Sequence, residues 1–232
     1  MKAKILLILL GSTLFLQSCA PSLKMASVVS QDQKMGYDGT ITSQKKHFVS
    51  LSPYTALKKL DLAKEKTLFL LSIENDGKDS IDISNKNISV IFDCVGKDRT
   101  TNIINIQQCD DFLSDLAKEY NINERKFIYK TLYDIKLDSE SSSADSESTE
   151  DKIKDLNDDI EIMRASNEQV QESMKEIVIK SEPQTISPGD TLSGIVVCDT
   201  GYLNDKMEGN FQVIVSVDAE KHKFTFNRSL TD

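Results

Sequence analysis

Residues 211–226 read FQVIVSVDAEKHKFTF, and this stretch decides the fold class. Apolar and polar side chains alternate over residues 211–217 and again over residues 222–226, which is the pattern of half-buried β-strands. The polar residues 218–221 lie between the two runs and are typical of a turn. The stretch therefore predicts two antiparallel strands that place one face against a core.

Further strand-like runs lie on both sides of a central region. The clearest are 66–74, 80–84, 87–92 and 191–198, and weaker ones are 41–50 and 99–106. Turn sequences follow or precede two of them. They are Asn75-Asp76-Gly77, whose Asp-Gly suits a tight turn with positive φ, and Ser187-Pro188-Gly189-Asp190. About eight short strands separated by turns predict a mainly β fold, an antiparallel β-sandwich.

The central region, residues 110–179, has helical spacing instead. Phe112, Leu113 and Leu116 recur at the intervals of one helix face. The next segment, residues 124–137, is ambiguous because its apolar residues also alternate as in a strand, and we favour a helix. The alternating residues are Phe127, Tyr129, Tyr133, Ile135 and Leu137.

Residues 138–150 separate two parts of this region and read DSESSSADSESTE. One alanine is the only apolar residue, so the segment cannot bury enough surface to offset the cost of ordering it. We therefore expect a disordered acidic loop between two helical segments.

The most regular feature of the chain follows this loop, in residues 151–178. Apolar residues and one asparagine alternate at spacings of three and four, which is an a/d heptad seam. The seam consists of Ile153, Leu156, Ile160, Met163, Asn167, Val170, Met174 and Ile177. Two interpretations stay open: a helical hairpin, in which the seam packs on the preceding helix, or self-association and partner binding, in which Asn167 sets the register at a cost in stability.

The first residues have the pattern of a secretory signal. Lys2 and Lys4 precede a short apolar run, residues 5–16, and Leu16-Gln17-Ser18-Cys19 resembles the lipobox of bacterial lipoproteins. The resemblance implies cleavage after residue 18 and a lipid anchor on Cys19. Ala20 follows the cysteine, which favours the outer membrane over the inner one, with the protein facing the periplasm. Residues 19–39 are polar and aperiodic, and they predict a flexible tether.

The net charge argues against nucleic-acid binding. Without residues 1–18 the chain carries 37 acids against 26 bases, and the sequence shows no basic patch of the kind that binds nucleic acids.

Three cysteines remain beyond Cys19, and an exported compartment permits disulfides. Cys94 and Cys198 both end alternating runs, so a Cys94–Cys198 bridge, a Cys94–Cys109 bridge and no bridge are the open alternatives.

The sequence predicts no metal, no cofactor and no catalytic residue. His47 and His222 are far apart in sequence and neither stands beside a cysteine. No Gly-x-Ser-x-Gly elbow, His-Glu-x-x-His motif or phosphate-binding glycine loop occurs. The carboxylate pairs at 110–111 and 158–159 fit helix starts and solvated surfaces. Asp76 and Asp79 flank a turn but lack the spacing of a calcium loop.

Motifs at both ends of the chain carry a family resemblance. They are the lipobox, the turn at 75–77, the segment TISPGDTLSGIVV at 185–197 and the final strand HKFTF at 222–226. Together they resemble a broad group of uncharacterised bacterial lipoproteins with an immunoglobulin-like or telokin-like β-sandwich. The resemblance implies a sandwich from residues 40–109 and 180–232, interrupted by a helical insertion at 110–179, so that the fold is α+β overall.

The expected function is that of a membrane-anchored, non-catalytic interaction or scaffolding module of the cell envelope. This expectation rests on the combination of a sandwich on a lipid tether and a helical insertion. The insertion would contact an envelope protein or a second copy of the chain. The alternative is a sandwich that binds a small ligand or glycan through its loops, and a hydrolase is the least favoured. A scaffold predicts an exposed apolar strip on the insertion, whereas a ligand binder predicts a pocket with convergent polar groups.

Overall fold

The structure is a computed structural model that describes residues 23–55, 65–95, 100–141, 149–203 and 207–230. It is mostly β, with three antiparallel sheets and two helices. The elements are β1 (Leu23–Val28), β2 (Gln33–Met35), β3 (Ile41–Gln44), β4 (Phe48–Pro53), β5 (Lys66–Glu74), β6 (Ile81–Ile83), β7 (Ile88–Cys94), β8 (Thr101–Ile104), α1 (Cys109–Ser141), α2 (Thr149–Ile177), β9 (Gln184–Ile186), β10 (Thr191–Asp199), β11 (Gly209–Val217) and β12 (Glu220–Leu230). Neither described helix is apolar enough over its length to cross a membrane.

Two five-stranded sheets form the body of the protein. The first has the order β1-β12-β11-β7-β8 and the second the order β10-β5-β4-β3-β2, while β6 and β9 form a small third sheet. The strand pair predicted from residues 211–226 is confirmed as β11 and β12 in the first sheet. Val217 pairs with Glu220, and Asp218 turns the chain with a φ of 50°.

The core lies between the two large sheets and is centred on phenylalanines. The ring of Phe69, from the second sheet, lies 6.1 Å from that of Phe211 and 5.0 Å from that of Phe226, both in the first sheet. Phe92 stacks against Phe211 at 4.7 Å. All four side chains are fully buried. These contacts come from alternate positions on their strands, which is why the alternating pattern identified the sandwich.

A helical hairpin is inserted between β8 and β9. Helix α1 has 33 residues and α2 has 29, so they are about 50 and 44 Å long. The preference for a helix over residues 124–137 is confirmed. The two helices pack on each other, and Arg164 of α2 binds Glu124 of α1 at 2.7 Å.

The base of the hairpin packs on the outer face of the second sheet. Phe112 and Leu116 of α1 and Met174 of α2 form a buried cluster with β5 and β10. Where the chain leaves α2, it crosses β10 over Gly194, and a Cβ at that position would lie 2.7 Å from the carbonyl oxygen of Ile177. A residue without a side chain is therefore required at this crossing. The cluster also contains Leu68, Val178, Ile195 and Val197, with Tyr120 and Val170 at its edge.

The predicted tether is wrong for most of its length. Strand β1 pairs with β12 along its whole length, from Leu23 with Leu230 to Val28 with Thr225, and β2 pairs with β3. Among residues 24–28 of β1, Met25 packs on the core. Such an edge strand is held by main-chain hydrogen bonds to its neighbour, so it needs little apolar content and leaves no alternation to detect.

The two predicted turns differ in outcome. Gly189 has a φ of 81°, and the amide of Asp190 donates to the carbonyl of Ser187, so the turn at 187–190 is confirmed. At 75–77 the expected positive φ is absent, because β5 and β6 belong to different sheets and no hairpin turn is made. Instead the buried Asn75 side chain donates to the carbonyls of Asp79 and Ile186, at 2.9 Å each.

The predicted disordered loop is shorter than expected. Helix α1 continues to Ser141, and α2 begins at Thr149, so both helices extend into residues 138–150. Glu150 and Asp151 lie in the first turn of α2, where negative charge is favoured by the helix dipole. Residues 142–148 lie outside the described residues.

Candidate functional site

The predicted lipid site and signal segment, residues 1–19, lie outside the described residues. The first described residue is Leu23, which is already paired in β1. Three residues, 20–22, therefore separate Cys19 from the folded body, whereas the sequence predicted a tether of about twenty residues. Any lipid on Cys19 would hold the sandwich close to the membrane surface.

The three cysteines beyond Cys19 are free thiols, so neither predicted bridge forms. Cys198 lies in β10 and faces the core, where burial raises the pKa of its thiol. Cys94 is half-buried at the end of β7, and its thiol points to the carbonyl of Val95. The two strands belong to different sheets, and Cys198 lies within the core against which Cys94 packs. Burial also raises the pKa of the Cys109 thiol at the start of α1.

The heptad seam of α2 faces α1. Leu156 and Met174 are buried, the four residues between them are half-buried, and Ile153 and Ile177 are exposed at its ends. The side chain of Gln171 donates to Asn167 Oδ1 at 2.8 Å, so this polar position is satisfied within α2. The packing matches the hairpin interpretation. The half-buried residues are Ile160, Met163, Asn167 and Val170.

Helix α1 has a second apolar stripe, on the side away from α2. At about 100° per residue, Tyr129 and Tyr133 lie within about 20° of Ile122, while Phe127 and Ile135 lie on the opposite side. Tyr129 is 74% exposed and Tyr133 is 62% exposed, whereas Ile135 is buried. The complete stripe is Ile122, Tyr129, Leu132, Tyr133 and Leu137.

Basic residues are interleaved with this stripe. Arg125, Lys126, Lys130 and Lys136 are exposed on the same side of α1. Asp134, the exposed acid of residues 122–137, lies about a third of a turn away from Ile122. We call the stripe together with these four bases the outward face of α1. Helix α2 has the opposite character, with nine acids against four bases.

The apolar pattern of residues 124–137 already indicated this face, although on its own it was ambiguous between a strand and a helix. The alternation in residues 124–137 that suggested a strand arises because α1 carries apolar residues on two opposite sides. Phe127 and Ile135 belong to the side facing α2, and Tyr129, Tyr133 and Leu137 belong to the outward face. An apolar pattern that fits both periods can therefore indicate a helix with two contact surfaces.

A charged cluster attaches the hairpin to the second sheet. Lys66 Nζ, at the start of β5, lies 3.4 Å from Asp115 Oδ2 of α1 and 3.3 Å from Asp199 Oδ1 of β10. Gln107 donates to Asp115 at 2.7 Å, and this hydrogen bond, with the nearby Lys118 and Lys66, lowers the pKa of the Asp115 carboxyl. The cluster lies at the end of the sandwich where β5 begins and β10 ends.

Both histidines are buried between the tips of the two sheets. His47 Nε2 lies 3.2 Å from Asp218 Oδ2, and His222 Nδ1 lies 3.0 Å from the hydroxyl of Ser43. His222 Nε2 lies 3.6 Å from a carboxylate oxygen of Glu220. Burial, and then the neighbouring charges of Lys45 and His47, lower the pKa of His222.

The row Ser43–His222–Glu220 has the residue types of a nucleophilic triad, but its surroundings are those of a core. His222 is fully buried and Ser43 is only 2% exposed. The carboxylate of Glu220 lies beyond hydrogen-bond distance of the imidazole. The arrangement thus supports the packing of the two sheet tips, and it leaves a substrate no access to the imidazole.

A basic cleft opens beside these tips. It has a volume of about 410 Å³ and is lined by Lys45, Lys221 and Lys223, together with Gln33 and Asp32. The side chains of Gln33 and Lys45 donate to main-chain carbonyls of β12, at 2.6 and 2.7 Å. Among the described residues, no group of three or more histidine, cysteine, aspartate or glutamate side chains could hold a metal ion.

Comparisons with known proteins leave the chain without an assigned relative. No family model, curated protein or solved structure matches it significantly. The geometry described above is therefore the basis for assigning a function.

Proposed function

We propose that this chain is a lipid-anchored, non-catalytic interaction protein of the bacterial cell envelope. In this proposal Cys19 carries the lipid, an immunoglobulin-like sandwich is the platform, and the helical hairpin is the contact element. The expected location is the periplasmic side of the outer membrane, because Ala20 follows the lipidated cysteine.

The observation that supports the proposal is the outward face of α1. Its five apolar side chains are each between 44% and 74% exposed and gather on one side of the helix, with basic side chains between them. Exposed apolar side chains gathered on one side favour an interaction site, whereas scattered exposed apolar residues are ordinary. Tyrosines and long basic side chains are also enriched in contact surfaces.

The position of the stripe supports the same function. It begins at Ile122, just beyond Tyr120, where the packing of α1 against the second sheet ends. The side of α1 that faces α2 is occupied, and the outward face is available. A hairpin of two helices also gains stability when a third surface covers one of them.

A photoreactive amino acid placed at Tyr133 in the native host would test this proposal. A diazirine side chain crosslinks any molecule in contact, whether protein or lipid. We expect a covalent adduct at this position and none when the same group replaces Ile162, an exposed residue of α2. Absence of an adduct at both positions would contradict the proposal.

The basic cleft supports a second candidate function, the binding of a small anionic ligand. Three lysines line it in a chain whose formal net charge is −9, and Ser43 lies at its floor. Titration with inorganic phosphate, followed by the amide NMR signals of Lys221 and Lys223, tests this function. Saturable shifts that vanish in Lys223→Ser would support it, and shifts that grow linearly would dismiss it.

A further inference from the structure

The outward face of α1 is complementary to one kind of partner. Residues 122–137 carry four bases and two acids; of these, Glu124 is paired with Arg164 on the α2 side, and Lys126 and Lys136 also interact with other groups of the protein. The surface presented outward is therefore apolar, tyrosine-rich and basic. This combination is that of helices that lie in the plane of an anionic membrane surface, with tyrosines at headgroup level and basic side chains reaching the phosphates.

The hairpin lies at the end of the sandwich where the folded chain begins. Strand β10 ends at Asp199 and β11 starts at Gly209, so these positions share one end. Gly209 pairs with Arg228 of β12, and Leu23 pairs with Leu230, two residues further along the same strand. The cluster that joins the hairpin to the sheet contains Asp199, so it lies at this end too.

Chain length limits the distance between that end and the lipid. Four residue steps from Cys19 to Leu23 span at most about 14 Å. Beyond Tyr120, where its packing on the sheet ends, α1 continues to Ser141 and rises by about 30 Å. A hairpin of this length cannot point straight at a membrane that the anchor holds so close, so it can contact that surface only by lying along it.

The positions of the charges on the hairpin decide which side faces the lipid. Both helices carry more acids than bases, eight against five in α1 and nine against four in α2, but four of the five bases of α1 lie on its outward face. The acids of α2 are exposed. An anionic surface repels that side and attracts the outward face of α1. This orientation also places Tyr129 and Tyr133 at the interface, which is the environment tyrosine prefers.

We propose that the outward face of α1 docks on an anionic lipid surface, so that the anchored protein lies flat with α2 turned away from the membrane. This inference rests on the proposed function, since it names the partner of the contact surface assigned there. A second copy of the chain and a protein partner are the competing occupants. A second copy is disfavoured because two basic faces would meet.

Tryptophan fluorescence gives a direct test because the chain contains no tryptophan. The intact lipoprotein with Tyr133→Trp is reconstituted into vesicles of phosphatidylglycerol and phosphatidylcholine in equal parts. We expect blue-shifted emission that brominated acyl chains quench, with a loss of both effects in phosphatidylcholine alone or at high salt. The matched control, Ile162→Trp, places the same reporter on the other helix and should remain solvent-exposed.

Two results would overturn the inference. One is equal quenching of the two reporters in the mixed vesicles. The other is shielding of Tyr133→Trp that persists without phosphatidylglycerol and grows with the density of lipoprotein, which indicates a second copy. A protein adduct in the photocrosslinking experiment, combined with an unquenched reporter, would overturn the lipid contact while leaving the proposed interaction function intact.

Discussion

The sandwich and the distal hairpin bury their apolar residues to different extents. In the sandwich, Phe69, Phe92, Phe211 and Phe226 meet between two sheets and none is exposed. Among the described residues, the hairpin beyond Tyr120 consists of two helices that pack on each other. The aromatic residues Tyr129 and Tyr133 there are largely exposed.

This difference separates residues that hold the fold from residues available for contact. A sandwich face has a second sheet to cover it, so alternate positions are buried as a matter of architecture. A helix in a two-helix hairpin is covered on one side only, and apolar residues on its other side need a different explanation. On this basis the phenylalanine core holds the fold, and the outward face is the surface on which the proposed interaction function rests.

The largest expected effect comes from opening the phenylalanine core. Phe69→Ala removes a fully buried ring that contacts both Phe211 and Phe226. We expect the free energy of unfolding to fall by about 3–5 kcal/mol, measured by chemical denaturation. A loss below about 1 kcal/mol would mean that the two sheets do not depend on this contact.

A smaller effect is expected at the crossing between hairpin and sandwich. Gly194→Ala places a Cβ 2.7 Å from the carbonyl oxygen of Ile177, so the backbone must shift. We expect a loss of about 1–3 kcal/mol together with faster hydrogen exchange in the base of the hairpin. Ser193→Ala is the matched control because Ser193 is exposed. Equal stability of the two variants would contradict the close approach.

The helix seam gives an effect of the opposite sign. Asn167→Leu replaces a half-buried polar side chain in the apolar seam, and the hydrogen bond it removes comes from Gln171 of the same helix. We expect thermal stability to rise by roughly 1 kcal/mol, since part of a leucine side chain is newly buried. Light scattering should show an unchanged oligomeric state, and a new oligomer would indicate that the seam also serves association.

Acidification should weaken the sandwich through His222. Burial lowers the pKa of this imidazole below its ordinary 6.5 in the folded protein, so the unfolded chain takes up a proton first. The stability that neutral His222 contributes is complete above about pH 6.5 and is lost as the pH falls below it. Denaturant unfolding at a series of pH values measures this loss. An NMR titration of His222 with a midpoint at or above 6.5 would contradict the sign.

Replacing the two exposed tyrosines of the outward face should change stability least and crosslinking most. Tyr129→Ser with Tyr133→Ser changes two exposed side chains, so unfolding should stay within about 0.5 kcal/mol of the original. The same pair should abolish the crosslinks formed from a diazirine at Leu137, which lies on the same face. Preserved crosslinking would show that the tyrosines are not part of the contact surface.

Sequence patterns predicted the parts of the fold that alternate or repeat. The apolar positions of β7, β11 and β12 and the seam of α2 each follow a single period, because each faces one covering layer. Strand β1 escaped prediction because its stability comes from pairing with β12, a contact 200 residues away along the chain. The free state of Cys94 and Cys198 likewise depends on which sheet each strand joins, and spacing does not contain that information.

The candidate site was only partly predictable for a related reason. The sequence indicated that the insertion would be the contact element, and it left open whether the seam of α2 packs within a hairpin or serves association. The seam is instead covered by α1, and the exposed surface belongs to residues 122–137. Recognising it required knowledge of which side of α1 meets α2, and that side is fixed by the base packing of Phe112 and Leu116.

Hydroxyl-radical footprinting of the unmodified protein tests the central claim most directly. Tyr129 and Tyr133 report on the outward face, and Ile162, which is 67% exposed on α2, is the internal control. We predict that the two tyrosines are oxidised much more slowly in native envelopes than in the detergent-free purified chain, while Ile162 is unchanged. Equal oxidation of Tyr129 and Tyr133 in both samples would contradict the assignment of function to the outward face of α1.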